Sequence, residues 1–112
     1  MDLDWIRRVC LALPGVTESV QWGNDLVFKV GGKIFAVGSL EPGEGALTFK
    51  CTPEDYADLS ERPGCAPARY VTRGAWITLQ TFDALPAKET LRLIRQSYDL
   101  VVSKLPRKSR PA

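Results

Sequence analysis

The sequence of 112 residues has no histidine and only three cysteines, and these shortages exclude several common chemistries. Without histidine there is no Ser-His-Asp or Cys-His nucleophilic site, no histidine general base and no histidine-ligated metal. Three cysteines cannot supply a four-thiolate zinc site within one chain. We therefore expect a protein with no catalytic residues, no metal site and no cofactor.

The glycine motifs that bind phosphate are also missing. Gly31, Gly32 and Lys33 are followed by Ile34 rather than by serine or threonine, and no GxGxxG segment opens a helix. The carboxylates between residues 54 and 61 fall on one short predicted helix, where they indicate a solvated face rather than a catalytic pair. These absences favour a binding protein over an enzyme.

The three cysteines are Cys10, Cys51 and Cys65, and no two of them form a CxxC pair. An odd number of scattered cysteines is typical of reduced thiols in a cytoplasmic protein. We expect two of them in the core and Cys65, in the loop PGCAP, to be the most exposed. A redox role for Cys65 would need a nearby cation or helix N-terminus, so an incidental loop thiol is the simpler interpretation.

Long apolar runs and a strong charge of one sign are both absent. No apolar segment approaches the length that spans a bilayer, and the acidic start MDLD lacks the basic region of a secretory signal. We expect a cytoplasmic protein that does not contact a membrane. The net charge is only +2, and four basic residues fall after residue 103. Any anion-binding surface must therefore be local.

Apolar periodicity predicts three helices and five strands in a single domain, residues 1–106, followed by a short, basic and mobile tail, 107–112. The predicted helices start at the N-caps Asp2 and Thr52 and after Pro86, and the strands occupy segments 26–38, 46–51 and 67–80. Residues between Val16 and Asp25 are predicted as a loop. The order α-β-β-β-α-β-β-α predicts an α+β two-layer sandwich, an antiparallel five-stranded sheet with helices on one face.

Turn positions predict the register of both hairpins. The predicted core-side pairs are Val30 with Lys33, Phe28 with Phe35, Leu26 with Val37, Tyr70 with Ile77, and Ala68 with Leu79. The first hairpin turns at Gly31-Gly32 and the second at Arg73-Gly74. A slip of one residue would exchange the two faces of a strand.

The strand segments carry five basic residues and no acidic ones: Lys29, Lys33, Lys50, Arg69 and Arg73. Alternation places Lys29, Lys50, Arg69 and Trp76 on the open face of the sheet, with Thr48, Thr78 and Gln80, and Lys33 and Arg73 at the hairpin tips. Cations attract phosphate, and an indole ring offers a stacking plane for an unpaired base. The pattern therefore predicts weak, salt-dependent binding of DNA or another nucleic acid, to which the basic tail from Lys104 to Arg110 would add.

Two other interpretations stay open. Acidic residues are depleted from strands by propensity alone, lysine commonly protects edge strands, and the segment QWGND could cover Trp76. Alternatively, the same face could be a protein-interaction or homodimerisation surface, since Val27, Ile34, Ala36, Val71 and Trp76 would make it partly apolar.

Several segments together resemble the MmcQ/YjbR family of small bacterial proteins. They are LPGVTES, Trp22-Gly23, FKVGGKIFA, FKCTPE, RPGCAPARY, Trp76 and SYDLVVSKLP. The resemblance implies a sandwich related to the CyaY-like and secretion-chaperone-like folds. It also implies DNA binding, by analogy with a double-wing motif in which the two hairpin tips flank duplex phosphates. It supplies no catalytic residues.

Overall fold

The computed structural model describes residues 2–40, 45–68 and 75–111. The helices are α1 (Leu3–Leu11), α2 (Pro53–Ser60) and α3 (Ala87–Ser103). The strands are β1 (Val16–Gln21), β2 (Asp25–Val30), β3 (Lys33–Ser39), β4 (Leu47–Lys50), β5 (Cys65–Pro67) and β6 (Trp76–Leu79). They form one antiparallel sheet in the order β1-β2-β3-β4-β6-β5, so the predicted α+β class is confirmed.

Strand β1 replaces the loop that the sequence predicts between α1 and β2. All six of its residues pair with β2, and its outer edge has no partner strand among the described residues. It is an edge strand in which three of the six residues are exposed and none is buried, so no alternation of buried apolar residues identifies it. The signal that could have identified it is the turn Trp22-Gly23, where both residues have positive φ. The sheet thus has the five expected strands and one more.

The predicted start signals of α1 and α2 are confirmed. The Asp2 carboxylate accepts a hydrogen bond of 2.9 Å from the backbone N–H of Trp5. The Thr52 hydroxyl accepts one of 3.2 Å from the N–H of Asp55, and Pro53 occupies the first helical position. Each cap satisfies a backbone donor that the helix itself leaves unpaired, which is worth about 1 kcal/mol.

The three helices cover one face of the sheet, and the core lies between these two layers. Phe28, Phe35 and Phe49 are fully buried there. Burying each aromatic ring contributes roughly 1.5–3 kcal/mol. The Phe35 ring meets the Tyr98 ring edge to face at 5.5 Å, and the Tyr98 hydroxyl donates a hydrogen bond to the backbone carbonyl of Pro14. Helix α3 is thereby fixed to both the sheet and the end of α1.

A bulge in β3 corrects the predicted register of the first hairpin. Val30 does pair with Lys33, but Phe28 pairs with Ala36 rather than with Phe35, which is the extra residue of the bulge. Leu26 likewise lies opposite Gly38, not Val37. Because the two residues of such a bulge point to the same side, Phe35 and Ala36 both enter the core. Ala36 therefore leaves the open face on which the sequence placed it, and Val37 takes that position.

The second hairpin also differs from its predicted register. Leu79 pairs with Cys65 and Ile77 with Pro67, because β5 begins three residues earlier than the predicted turn requires. The predicted partners Ala68 of Leu79 and Tyr70 of Ile77 are thus wrong. Ile77 and Leu79 are nevertheless buried, as their alternation indicates. The predicted turn at Arg73-Gly74 lies outside the described residues.

Helix α3 completes the sheet at the point where β3 and β4 separate. Their ladder ends at Ala36 opposite Phe49, and the next pair in register would be Phe35 with Lys50. Instead, the buried Ser97 hydroxyl lies between them. It accepts a hydrogen bond of 2.9 Å from the Lys50 N–H and donates one of 2.5 Å to the Phe35 carbonyl. One side chain thus satisfies two backbone groups that the separated strands cannot satisfy for each other.

The C-terminal segment after α3 packs against the domain. Residues Arg107–Ser109 form a 3-10 turn. The Arg110 guanidinium then donates to the carbonyls of Leu105 and Ser103 at 2.9 and 3.1 Å, which satisfies the end of α3. Leu105 packs so closely on Gly31 that a Cβ there would lie 2.5 Å from it. The tip of the β2–β3 hairpin is therefore held by α3 and the segment after it.

Replacing Ser97 with alanine should destabilise the protein by roughly 2–4 kcal/mol, because it leaves the Phe35 carbonyl and the Lys50 N–H without a partner. Ser103→Ala is the matched control, since Ser103 is exposed and its hydroxyl donates only to Leu100 one turn back. We expect the control to change the free energy of unfolding by less than about 0.5 kcal/mol. Urea denaturation of both variants measures the difference, and equal effects would contradict the bridging role of Ser97.

Candidate anion-binding groove

A groove of about 500 Å³ opens where β3 and β4 separate. One wall is the β2–β3 hairpin tip, with Lys29, Gly32, Lys33 and Ile34. The second is the paired ends of β4 and β6, with Lys50 and Trp76, and the third is the end of α3 and the residues after it, with Val101, Lys104, Leu105 and Pro106. The separation that Ser97 bridges thus brings three distant segments of the chain around one recess.

Four of the ten lining residues are lysines and none is acidic. None of the four forms an ion pair with a carboxylate of the described residues. The ion pairs found in that part of the chain join Arg7 to Glu18, Arg62 to Glu89 and Arg92 to Asp55. The ammonium groups of the groove are therefore not neutralised by these contacts. Such a concentration of like charge attracts anions.

Lys50 and Trp76 lie directly opposite each other in the β4–β6 ladder. Two residues along each strand, on the same face, the hydroxyls of Thr48 and Thr78 hydrogen bond across the same pair of strands at 2.8 Å. Both pairs point away from the helices, as the alternation predicts. Trp76 is partly exposed rather than core. Nor does Trp22 cover it, since Trp22 is 67% exposed at the opposite end of β2.

Burial lowers the pKa of the Lys50 ammonium, and the neighbouring Lys104 lowers it further. Both causes act on the charged form, since burial removes water from the ammonium and Lys104 repels it. The charged form of Lys50 is thus disfavoured in this environment. A bound anion would relieve this repulsion.

The structure brings together four of the six side chains that the sequence assigns to an anion-binding surface: Lys29, Lys33, Lys50 and Trp76. Arg69 and Arg73 lie outside the described residues, so their assignment stays a prediction. Gln80 follows the end of β6 and is exposed. Lys104 enters the groove although the sequence assigns it to the basic tail. The sequence shows that Lys104 follows Val101 at helical spacing. It does not show that the end of α3 lies beside β4 and β6.

A second, more open groove of about 1050 Å³ runs along the outer surface of α3. Its charged residues are of both signs, with Lys88, Arg92 and Arg95 beside Glu89 and Asp99. Mixed charge of this kind is typical of a solvated helix face. Only the smaller groove combines an aromatic side chain with cations alone.

All three cysteines are buried and unpaired. Cys65 is the most exposed of the three, as predicted, but at 8% exposure it is buried, and it lies in β5 rather than in a loop. Burial raises the pKa of Cys10 to about 12 and that of Cys51 to about 11, and it raises the pKa of Cys65 against the opposing influence of Arg62. Buried thiols of raised pKa are poor nucleophiles.

Within residues 2–40, 45–68 and 75–111, none of the helices has both the length and the apolar composition of a membrane span. No group of three or more histidine, cysteine, aspartate or glutamate side chains in these ranges is arranged to hold a metal ion.

The fold and the groove define a small two-layer α+β protein with a lysine-lined recess at one end of its sheet. Residues 11–100 match the model of the YjbR family, and the chain belongs to that family.

Relatives cover most of the chain. The protein YbdF of Escherichia coli O157:H7 is 29% identical over 101 residues, which are 88% of this chain and 83% of the relative. The crystal structure of Deinococcus radiodurans protein DR2400, a DUF419 domain, superposes with a TM-score of 0.84 at 28% identity, covering 96% of this chain and 84% of that one. A Pseudomonas syringae protein shares the fold, with a TM-score of 0.70 at 23% identity over 89% of this chain and 98% of its own.

Lys50→Met should raise the free energy of unfolding at pH 7. Since the folded-state pKa of Lys50 is lowered, the unfolded chain holds this proton more tightly, and the charge destabilises the fold below the folded-state pKa. Stability should therefore recover as pH rises from that pKa toward the ordinary value of 10.5. The variant should lack this rise. Urea denaturation at pH 7 and pH 10 measures both effects, with the exposed Lys88→Met as control; greater destabilisation by Lys50→Met than by the control would contradict the account.

Proposed function

We propose that the protein is a non-catalytic nucleic-acid-binding protein whose groove contacts phosphates. The observation that carries the proposal is the gathering of Lys29, Lys33, Lys50 and Lys104 around one recess without a carboxylate in its lining. The backbone of a nucleic acid presents phosphates to such a cluster, and each phosphate that a lysine neutralises releases a condensed counterion. Trp76 supplies an aromatic surface beside these cations.

Sequence-independent, modest affinity is the expected behaviour. The groove offers lysines, which act as point charges, and its lining has no arginine, asparagine or glutamine to read base edges bidentately. With four cations, log K should fall with log salt at a slope of about −2.8 for single strands and about −3.6 for duplex DNA. The dissociation constant should then rise about 50- to 150-fold between 50 and 200 mM salt.

Two further expectations are part of the proposal. The protein acts without catalysis, cofactor or metal, since its buried thiols and absent histidines leave few groups for acid–base or nucleophilic chemistry. We also propose a cytoplasmic location, which is supported by three cysteines that remain unpaired.

A salt titration with charge-reversal variants tests the proposal. Fluorescence anisotropy with labelled single-stranded DNA, duplex DNA and RNA is measured between 20 and 300 mM salt. Lys50→Glu should weaken binding at low salt by at least tenfold and reduce the slope by about one or more. Lys88→Glu is the matched control, because Lys88 is an exposed lysine near the start of α3, about 24 Å along the helix from Lys104.

Equal weakening by Lys50→Glu and Lys88→Glu would mean that net charge, not the groove, governs binding. Undetectable or salt-insensitive binding would contradict the proposal outright. In that case the alternative is a protein-interaction or homodimerisation surface on the same face. That surface would respond little to salt and would be lost on Trp76→Ala.

A further inference from the structure

We propose that the groove selects an unpaired nucleotide, whose base contacts Trp76 while its phosphate lies among the lysines, in preference to a base-paired duplex. This inference rests on the proposed function and narrows its ligand. It differs from the double-wing analogy, in which hairpin tips flank the backbone of a duplex.

The lining of the groove has two chemically different parts. Ammonium groups of four lysines supply positive charge, whereas five other side chains supply apolar surface: Ile34, Trp76, Val101, Leu105 and Pro106. A duplex presents phosphates and sugars on its outside but keeps the faces of its bases stacked inside. It would engage the cations and leave the apolar part unused. An unpaired nucleotide carries both an anion and an exposed aromatic face, so it matches both parts.

The two parts are adjacent at the residues that matter most. Lys50 and Trp76 are direct partners in an antiparallel ladder, so their Cβ atoms lie about 4.5–5.5 Å apart. A base on the indole ring therefore places its own phosphate near the Lys50 ammonium. Lys104 approaches the same ammonium closely enough to lower its pKa. One nucleotide can consequently contact the ring and at least one of these two cations.

The shape of the site points the same way. Its volume of about 500 Å³ falls within the range of pockets that enclose small ligands. Sequence-specific readout of a duplex inserts a helix or a β-ribbon into its grooves, and a recess offers no such element. A duplex at this site is therefore limited to phosphate and sugar contacts, which leave Trp76 unused. To reach Trp76, a base of a duplex would first have to leave its stack, at a cost of a few kcal/mol.

The experiment compares ligands that differ in one property at a time. The labelled strand is an eight-nucleotide DNA, and the unlabelled competitors are the same strand, an equal-length strand of abasic residues and an equal-length duplex. Adenosine monophosphate and inorganic phosphate form a second pair, which tests free nucleotide against free anion. We expect the strand with bases to compete about tenfold better than the abasic strand, and adenosine monophosphate to compete better than phosphate.

Variants then assign the preference to one side chain. Trp76→Ala should reduce the advantage of the strand with bases over the abasic strand to about twofold or less, whereas Trp76→Phe should retain most of it. Trp22→Ala is the matched control, because Trp22 is an exposed tryptophan at the other end of β2. Thermal denaturation of each variant checks that it remains folded. A preference that survives Trp76→Ala would overturn the inference.

The outcomes separate this inference from the proposed function. If binding depends on salt and on Lys50 but is equal for strands with and without bases, or is stronger for the duplex, the unpaired-nucleotide inference fails and phosphate binding stands. If no nucleic acid, nucleotide or phosphate binds, both fail.

Discussion

The hydroxyl of Ser97 occupies the place of a backbone hydrogen bond between β3 and β4. Phe35 and Lys50 would be the next pair of the ladder, but the bulge at Phe35 turns β3 away from β4. An unbridged separation would leave a carbonyl and an N–H without partners beside the core, at a cost comparable to a large part of the stability of a small domain. The Ser97 hydroxyl accepts a hydrogen bond from the Lys50 N–H and donates one to the Phe35 carbonyl. The sheet can therefore separate at this end without losing its hydrogen bonds.

This separation creates the groove and explains its composition. Between β3 and β4 the end of α3 comes near the open side of the sheet, so that Lys104 and Leu105 line the same recess as Lys50 and Trp76. The arrangement has an electrostatic cost, because burial and a like-charged neighbour lower the pKa of Lys50. Arrangements that are unfavourable in the free protein are common where a ligand of opposite charge binds. The ion pairs of Arg7, Arg62 and Arg92 lie on other surfaces and follow the ordinary pattern of solvated charges.

Local signals in the sequence account for much of the fold. The caps Asp2 and Thr52 identify two helix starts, and the alternation of Leu47, Phe49 and Ile77 identifies strands that are buried on one side. Such signals depend on neighbouring residues only. The bulge has no such local signal, and its extra residue, Phe35, packs against Tyr98 far along the chain. Strand β1 has no apolar alternation either, since an exposed edge strand needs none, and only the turn Trp22-Gly23 after it provides a local signal.

Part of the candidate site was also predictable, because local patterns place some of its side chains. Lys29, Lys50 and Trp76 share a face because strands alternate, which a sequence pattern shows directly. Lys33 follows from the Gly31-Gly32 turn. Lys104 lines the same groove only because α3 packs beside it. Arg110, which the sequence assigns to the basic tail, instead donates hydrogen bonds to the carbonyls at the end of α3. Both depend on contacts between distant segments, for which spacing in the sequence provides no signal.

The most direct test of the account is a titration of the ¹⁵N-labelled protein with inorganic phosphate, followed by two-dimensional NMR. If the groove binds anions, the largest shifts occur at the backbone amides of Lys29, Lys33, Lys50 and Lys104 and at the indole N–H of Trp76. Shifts that are largest at Arg92 and Arg95 on the outer face of α3, or no shift at the groove, would contradict anion binding there.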